Sequence, residues 1–190
     1  YSAQFCQAGD VVFADDTRAS DGTGEAQWNL FAELSESDRL LEDASALCEM
    51  LFQERVRTAP DPYATSAARD LMLALIVYLC RQGDPSLRNN ETLRGLIDGF
   101  DAESMLAILD TLPELRALGA TLLEPAGKRA QSVVGALQQA ARELLQGRFN
   151  AAGSLGMRNT VRRKGGKVVF VCYDPQRGRM TGPVFATLLD

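Results

Sequence analysis

Leu71-Met72-Leu73-Ala74-Leu75-Ile76-Val77-Tyr78-Leu79-Cys80 decides how this chain folds. The ten residues are apolar on every helical face. A helix of that kind is buried in a protein core, because no polar stripe is left to meet water. The run is half of the roughly 20 residues a membrane span needs. No stretch of 18 apolar residues occurs anywhere in the chain, so no membrane span is expected. The segment therefore predicts the central helix of a bundle, over Ala64 to Gln82. Pro60 and Pro62 punctuate the loop before it, and Gly83-Asp84-Pro85 closes it.

Helical periodicity continues on both sides of this centre. Upstream, Leu40, Leu41, Ala44, Leu47, Cys48, Leu51 and Phe52 recur at three- and four-residue spacing, with Ser37 as the expected N-cap and an end near Val56. Downstream, Asn90 is read as the cap of a helix carrying Leu93, Leu96, Ile97 and Phe100. Another starts at Ala102 with Met105, Leu106, Ile108 and Leu109, and Pro113 opens a further one that runs to Leu123. The longest covers about 126–145, with a stripe of Val133, Val134, Leu137, Ala140, Ala141, Leu144 and Leu145. Gly127 and Gly135 either weaken it or allow close packing.

The flanks differ in character. Residues 10–14 are a strand candidate, followed by a turn-rich acidic loop to Glu25. Trp28 and Phe31 then read as anchors of that loop on a core. After Gln146-Gly147 the chain is small, polar and basic. Residues 167–173 follow as a continuous apolar strand, the kind covered on both faces in an α/β sheet. Residues 183–189 look like the start of a helix. The expected class is mainly α: a multi-helix all-α domain over 37–147, with strand-containing flanks at 1–36 and 148–190 from an α/β domain. Neither flank can complete a sheet alone, so a segment of a larger protein is expected.

Composition narrows the chemistry. The chain has 190 residues, 46% hydrophobic and 24% charged, as for a globular protein. It holds no histidine, which excludes Ser-His-Asp and Cys-His catalysis and any histidine metal ligand. The four cysteines, Cys6, Cys48, Cys80 and Cys172, include no CxxC pair, and no secretory leader is seen, so a reducing compartment is expected. No GxxxxGK[ST] loop is present, so no nucleotide phosphate cradle is expected. The strand ending at Asp174 loosely resembles the Mg²⁺-holding strand of phosphate-loop ATPases, but Pro175 follows the acid and an ordinary Asp-Pro turn explains it better. Asp10, Asp15, Asp16, Asp21 and Glu25 lack the ligand alternation of a calcium loop. No metal site is expected.

Charge is unevenly distributed. Residues 1–60 hold 4 basic and 12 acidic side chains, a net of −8. Residues 61–124 hold 5 and 10, a net of −5, and residues 125–190 hold 11 and 3, a net of +8. Within the basic third, Lys128 and Arg129 open the long helix, and Arg158, Arg162, Arg163, Lys164 and Lys167 surround Gly165-Gly166. These seven are the candidate nucleic-acid contacts, since such a run can neutralise phosphates. No aromatic is interleaved from 150 to 169, so base stacking is not indicated there, and a solvated turn before a strand accounts for the run equally well.

Several stretches resemble one family. A strand, an acidic loop and Trp28-Asn29-Leu30-Phe31-Ala32-Glu33-Leu34 are similar to the entry into the all-α domain of type IV secretion coupling proteins of the TraD/TraG kind. Asp61-Pro62-Tyr63 with Ala67-Ala68-Arg69 resembles the start of that family's main helix, although Ala64 stands where the family often has Trp. Ser132-Val133-Val134, the stretch Phe149-Asn150-Ala151-Ala152 and residues 167–171 resemble its return path. The resemblance adds Tyr63 to Trp28 and Phe31 as a structural anchor. It implies an all-α domain inserted in a RecA-like ATPase domain, with ATP and Mg²⁺ bound outside this stretch and no catalytic residue or cofactor within it; Asp174 is then not the Mg²⁺ acid. The implied parent is a hexameric ATPase anchored in the bacterial inner membrane and working at its cytoplasmic face in conjugation or secretion. The implied partners are relaxosome or effector proteins, DNA, and the remainder of the ATPase. The competing expectations are a stand-alone DNA-binding helical domain and a helical interaction adaptor.

Overall fold

A computed structural model describes residues 11–14, 27–35, 38–123, 127–162, 169–172 and 182–186. The protein is mainly α. In chain order the elements are β1 (Val11–Ala14), α1 (Leu40–Thr58), α2 (Pro62–Arg81), α3 (Asn90–Gly99), α4 (Ala102–Leu109), α5 (Pro113–Leu123), α6 (Lys128–Leu144), α7 (Met157–Arg162) and β2 (Val169–Cys172). Short 3₁₀ turns stand at Leu30–Glu33, Pro85–Leu87 and Gly147–Asn150, and residues 182–186 are helical.

α2 is the centre of the bundle, in contact with α1, α3, α4, α5 and α6. Ala64, Ala67, Ala68, Leu71, Met72, Ala74, Leu75, Ile76, Val77 and Leu79 are buried along it. The helix is 20 residues long and holds an 18-residue window of mean hydropathy 1.3, long and apolar enough to cross a membrane, which the ten-residue run alone did not suggest. Here that apolar surface packs on other helices.

Helix starts follow local chemistry. Asp61 caps α2 by accepting from the Ala64 N–H at 3.0 Å, and Asp101 caps α4 by accepting from Ser104 at 2.8 Å. α5 begins on Pro113, where a missing N–H costs nothing. The cap of α3 is Asn89, whose side chain accepts from Thr92 at 2.8 Å. Asn90, expected in that role, is instead the first helical residue and is fully buried. α1 starts at Leu40 behind Arg39 and runs past Val56 to Thr58; Ser37 lies outside the described residues. Gly135 faces open space, so it brings no close packing to α6, and Gly127 precedes the helix.

The core extends beyond the bundle helices. Trp28, Leu30 and Phe31 from the incoming segment, and Phe149, Leu155 and Met157 from the outgoing one, belong to it, as do Val184 and Phe185. Trp28 meets Phe149 edge-on at 6.0 Å, and Phe149 meets Phe185 at 5.8 Å. The two segments run side by side. Asn29 donates to the Leu155 carbonyl and Leu155 donates to the Gln27 carbonyl, each at 2.9 Å, in a parallel bridge. The backbones approach so closely that a Cβ on Gly153 would stand 2.1 Å from the Gln27 oxygen, and one on Gly156 2.5 Å from the Ala32 oxygen. β1 and β2 pair in parallel, Val11 opposite Val169 through Ala14 opposite Cys172.

Candidate nucleic-acid interface

The described candidate cations fall into separate places. Lys128 and Arg129 form the exposed first turn of α6, behind Gly127, and no acidic residue shares that turn. α2 likewise carries no acid in its first turn, although Asp61 caps it. The two helix starts meet. The Arg129 guanidinium lies 4.2 Å above the Tyr63 ring centre, and Tyr63 is 45% exposed. Tyr63 is thus unlike Trp28 and Phe31, which are buried in the core. A cation over an aromatic face is held by the ring quadrupole, and the positive ends of two helix dipoles add to the local potential.

Many of the bundle's other cations are paired. Arg55 pairs with Glu143 at 2.6 Å, Arg57 with Glu54 at 2.8 Å, Arg81 with Glu114 at 2.9 Å, and Arg142 with Asp98 at 3.5 Å. Arg69 pairs with Asp70 and Arg94 with Asp98. These carboxylates neutralise their arginines. Among the described residues, no carboxylate pairs with Lys128 or Arg129.

Arg158 is engaged elsewhere. Its Nη1 donates to Asp43 Oδ2 at 2.7 Å, to the Glu33 carbonyl at 3.2 Å and to Ser35 Oγ at 3.3 Å. The Arg158 hydrogen bond, joined by those from Ser35 and the Arg158 charge, outweighs burial and holds the Asp43 carboxyl down at about 2. The Arg158 charge is thus already matched by Asp43. Arg162 is the last residue of α7. Arg163, Lys164 and Lys167 lie outside the described residues, as do Asp174 and the acidic group Asp10, Asp15, Asp16, Asp21 and Glu25.

Other chemistry finds little support in the arrangement. Among the described residues no group of three carboxylates or cysteines is placed to hold a metal. Cys48 is buried and its thiol is pushed up to about 12, so it is no nucleophile at neutral pH. A cavity of about 690 Å³ lies between α1, α6 and residues 182–186. At its wall burial pushes the Glu143 carboxyl up, and the Arg55 bond and charge more than reverse this, leaving it lowered. That pair ties α1 to α6 and uses the charge of both groups.

Sequence reasoning missed the aromatic partner. Tyr63 and Arg129 are 66 residues apart, and only the packing of α2 on α6 joins them. No family model matches the chain, and neither does any curated protein.

Proposed function

We propose that the chain is a helical substrate-recognition module inserted in a RecA-like α/β ATPase of the type IV secretion coupling kind. In this reading β1, β2 and the residues around them are the ATPase flanks, and the bundle docks relaxosome DNA–protein complexes or effector proteins. The parent hexamer binds ATP and Mg²⁺ at residues outside this stretch and works at the cytoplasmic face of the inner membrane. The observation that carries the reading is the geometry of the crossings. The chain enters and leaves the bundle side by side, through the Trp28–Leu155 bridge, and its ends pair as parallel neighbours. Parallel strands are buried in larger sheets and are joined by crossovers, and a two-stranded parallel pair is too small to stand alone. A helical insert in a parallel sheet meets both requirements, and the motifs around Trp28 and Asp61 point to the same parent. The isolated chain is then inactive in ATP hydrolysis; turnover at an ordinary ATPase rate overturns the proposal.

A second reading, a DNA-binding helical domain, is favoured by the Lys128–Arg129–Tyr63 corner, where two cations that no described carboxylate pairs stand beside an exposed aromatic ring. A salt titration of duplex and single-strand oligonucleotide binding separates the two. Neutralising about five phosphates gives a log–log slope of about −4. No binding at low salt leaves protein docking as the function.

A further inference from the structure

The incoming and outgoing segments are joined by a polar network that differs in kind from the apolar core beside it. The Glu33 carboxylate accepts from the backbone N–H groups of Met157 at 2.7 Å and Arg158 at 2.9 Å, so it caps α7 from another part of the chain. The same carboxylate accepts from the Trp28 indole N–H at 3.0 Å. Arg158 reaches back to the Glu33 carbonyl, Ser35 and Asp43, and Asp43 also accepts from the Ser35 N–H at 3.1 Å. Asn159 donates to the Ala32 carbonyl at 3.2 Å. α7 packs chiefly on the turn Leu30–Glu33, and its ion pair to the bundle is Arg158–Asp43, at the first turn of α1.

We infer that residues 151–162 form a strap latched by Arg158 on Asp43 and Glu33, which opens as a unit while the bundle stays folded. The physical reason is the contrast between the two kinds of contact. The bundle is held by a broad apolar interface centred on α2, which opens only with global unfolding. The strap ends in a six-residue helix and places only Leu155 and Met157 in the core; the rest of its attachment is the Leu155 backbone bridge and hydrogen bonds to charged groups around one ion pair. Charged hydrogen bonds of this kind are strong together and weak once one partner is lost. Closed, the strap holds the outgoing chain on the incoming segment; open, it frees residues 151–162, while Val184 and Phe185 stay in the core. This holds whether or not the strands belong to an ATPase.

Hydrogen exchange on the full chain tests it, read at single amides. In the wild-type protein under mild urea, the Leu155, Met157 and Arg158 amides exchange together, at least about tenfold faster than those of Leu75 and Ile76. In Asp43→Asn their exchange speeds by a further factor of about ten, with Leu75 and Ile76 unmoved. Trp28 is the chain's only tryptophan, and its emission shifts to the red as the strap opens. Glu114→Gln, which breaks an exposed ion pair with Arg81, leaves the strap amides at the wild-type rate. The inference is overturned if the strap amides share the rate of Leu75 and Ile76 in the wild-type protein. It is also overturned if Asp43→Asn leaves the strap unchanged or speeds both sets equally. The wild-type measurement stands even if the variant does not fold.

Discussion

Asn90 holds three backbone groups, on two other segments of the chain, with one buried amide. Its Oδ1 accepts from the Leu30 N–H at 2.9 Å, and its Nδ2 donates to the Trp28 and Phe149 carbonyls at 2.9 Å each. Asn90→Ala leaves these groups buried without partners, so it is expected to cost about 3 kcal/mol, read as a lower urea midpoint with an unchanged slope. Asp43 gives a pH signature. Its folded-state carboxyl sits at about 2, against 3.8 for an unperturbed aspartate. A lowered carboxyl contributes stability above the unfolded value and loses it as pH falls towards the folded one. The side chain is 11% exposed, and the contribution is about 1–2 kcal/mol after allowance for solvent screening. Melting temperatures followed from pH 5 to pH 2 are expected to fall less in Asp43→Asn than in the wild-type protein.

At the scale of elements, α2 and the paired crossings fail in different ways. Leu75→Ala in α2 removes a fully buried side chain in contact with the core, and a loss of about 2–5 kcal/mol is expected by chemical denaturation. Gly156→Ala acts locally. Its new methyl group would meet the Ala32 backbone at 2.5 Å, so the strap must shift away from the incoming segment. The expected result is faster exchange of the strap amides with little change at Leu75. The helices were legible in the sequence because apolar spacing and helix-starting residues are local signals: the α2 run and Pro113 both act within a few residues. The misread was Asn90. Asn89 and Asn90 have equal capping chemistry, and the choice between them is made by Leu30, Trp28 and Phe149, about 60 residues away in either direction.

For the whole molecule, the charge split resolves into two kinds of basic residue. Arg142 and Arg158 of the basic third pair with Asp98 and Asp43 of the acidic part, whereas no described carboxylate pairs with Lys128 or Arg129 beside Tyr63. If the corner binds nucleic acid, replacing both by Gln reduces the steepness of the salt dependence of oligonucleotide binding by about 2 and leaves the melting temperature in place. Arg158→Gln is expected to act in the other direction: it loosens the strap and leaves that slope unchanged. Of the candidate site, the cations were legible because charge is a property of single residues. Their division was not, because a salt bridge depends on where a distant carboxylate lies.

By itself the sequence determined that the chain is a helical bundle around residues 71–80, since no other structure buries an apolar run of that length with its amphipathic neighbours. It also determined that histidine chemistry is absent. Tertiary structure alone decided that Trp28 and Leu155 run side by side, that Arg158 closes on Asp43, and that Tyr63 meets Arg129. Local periodicity reports which face of an element is buried. Which element buries it, and which charge it meets there, depends on packing between residues far apart in the chain.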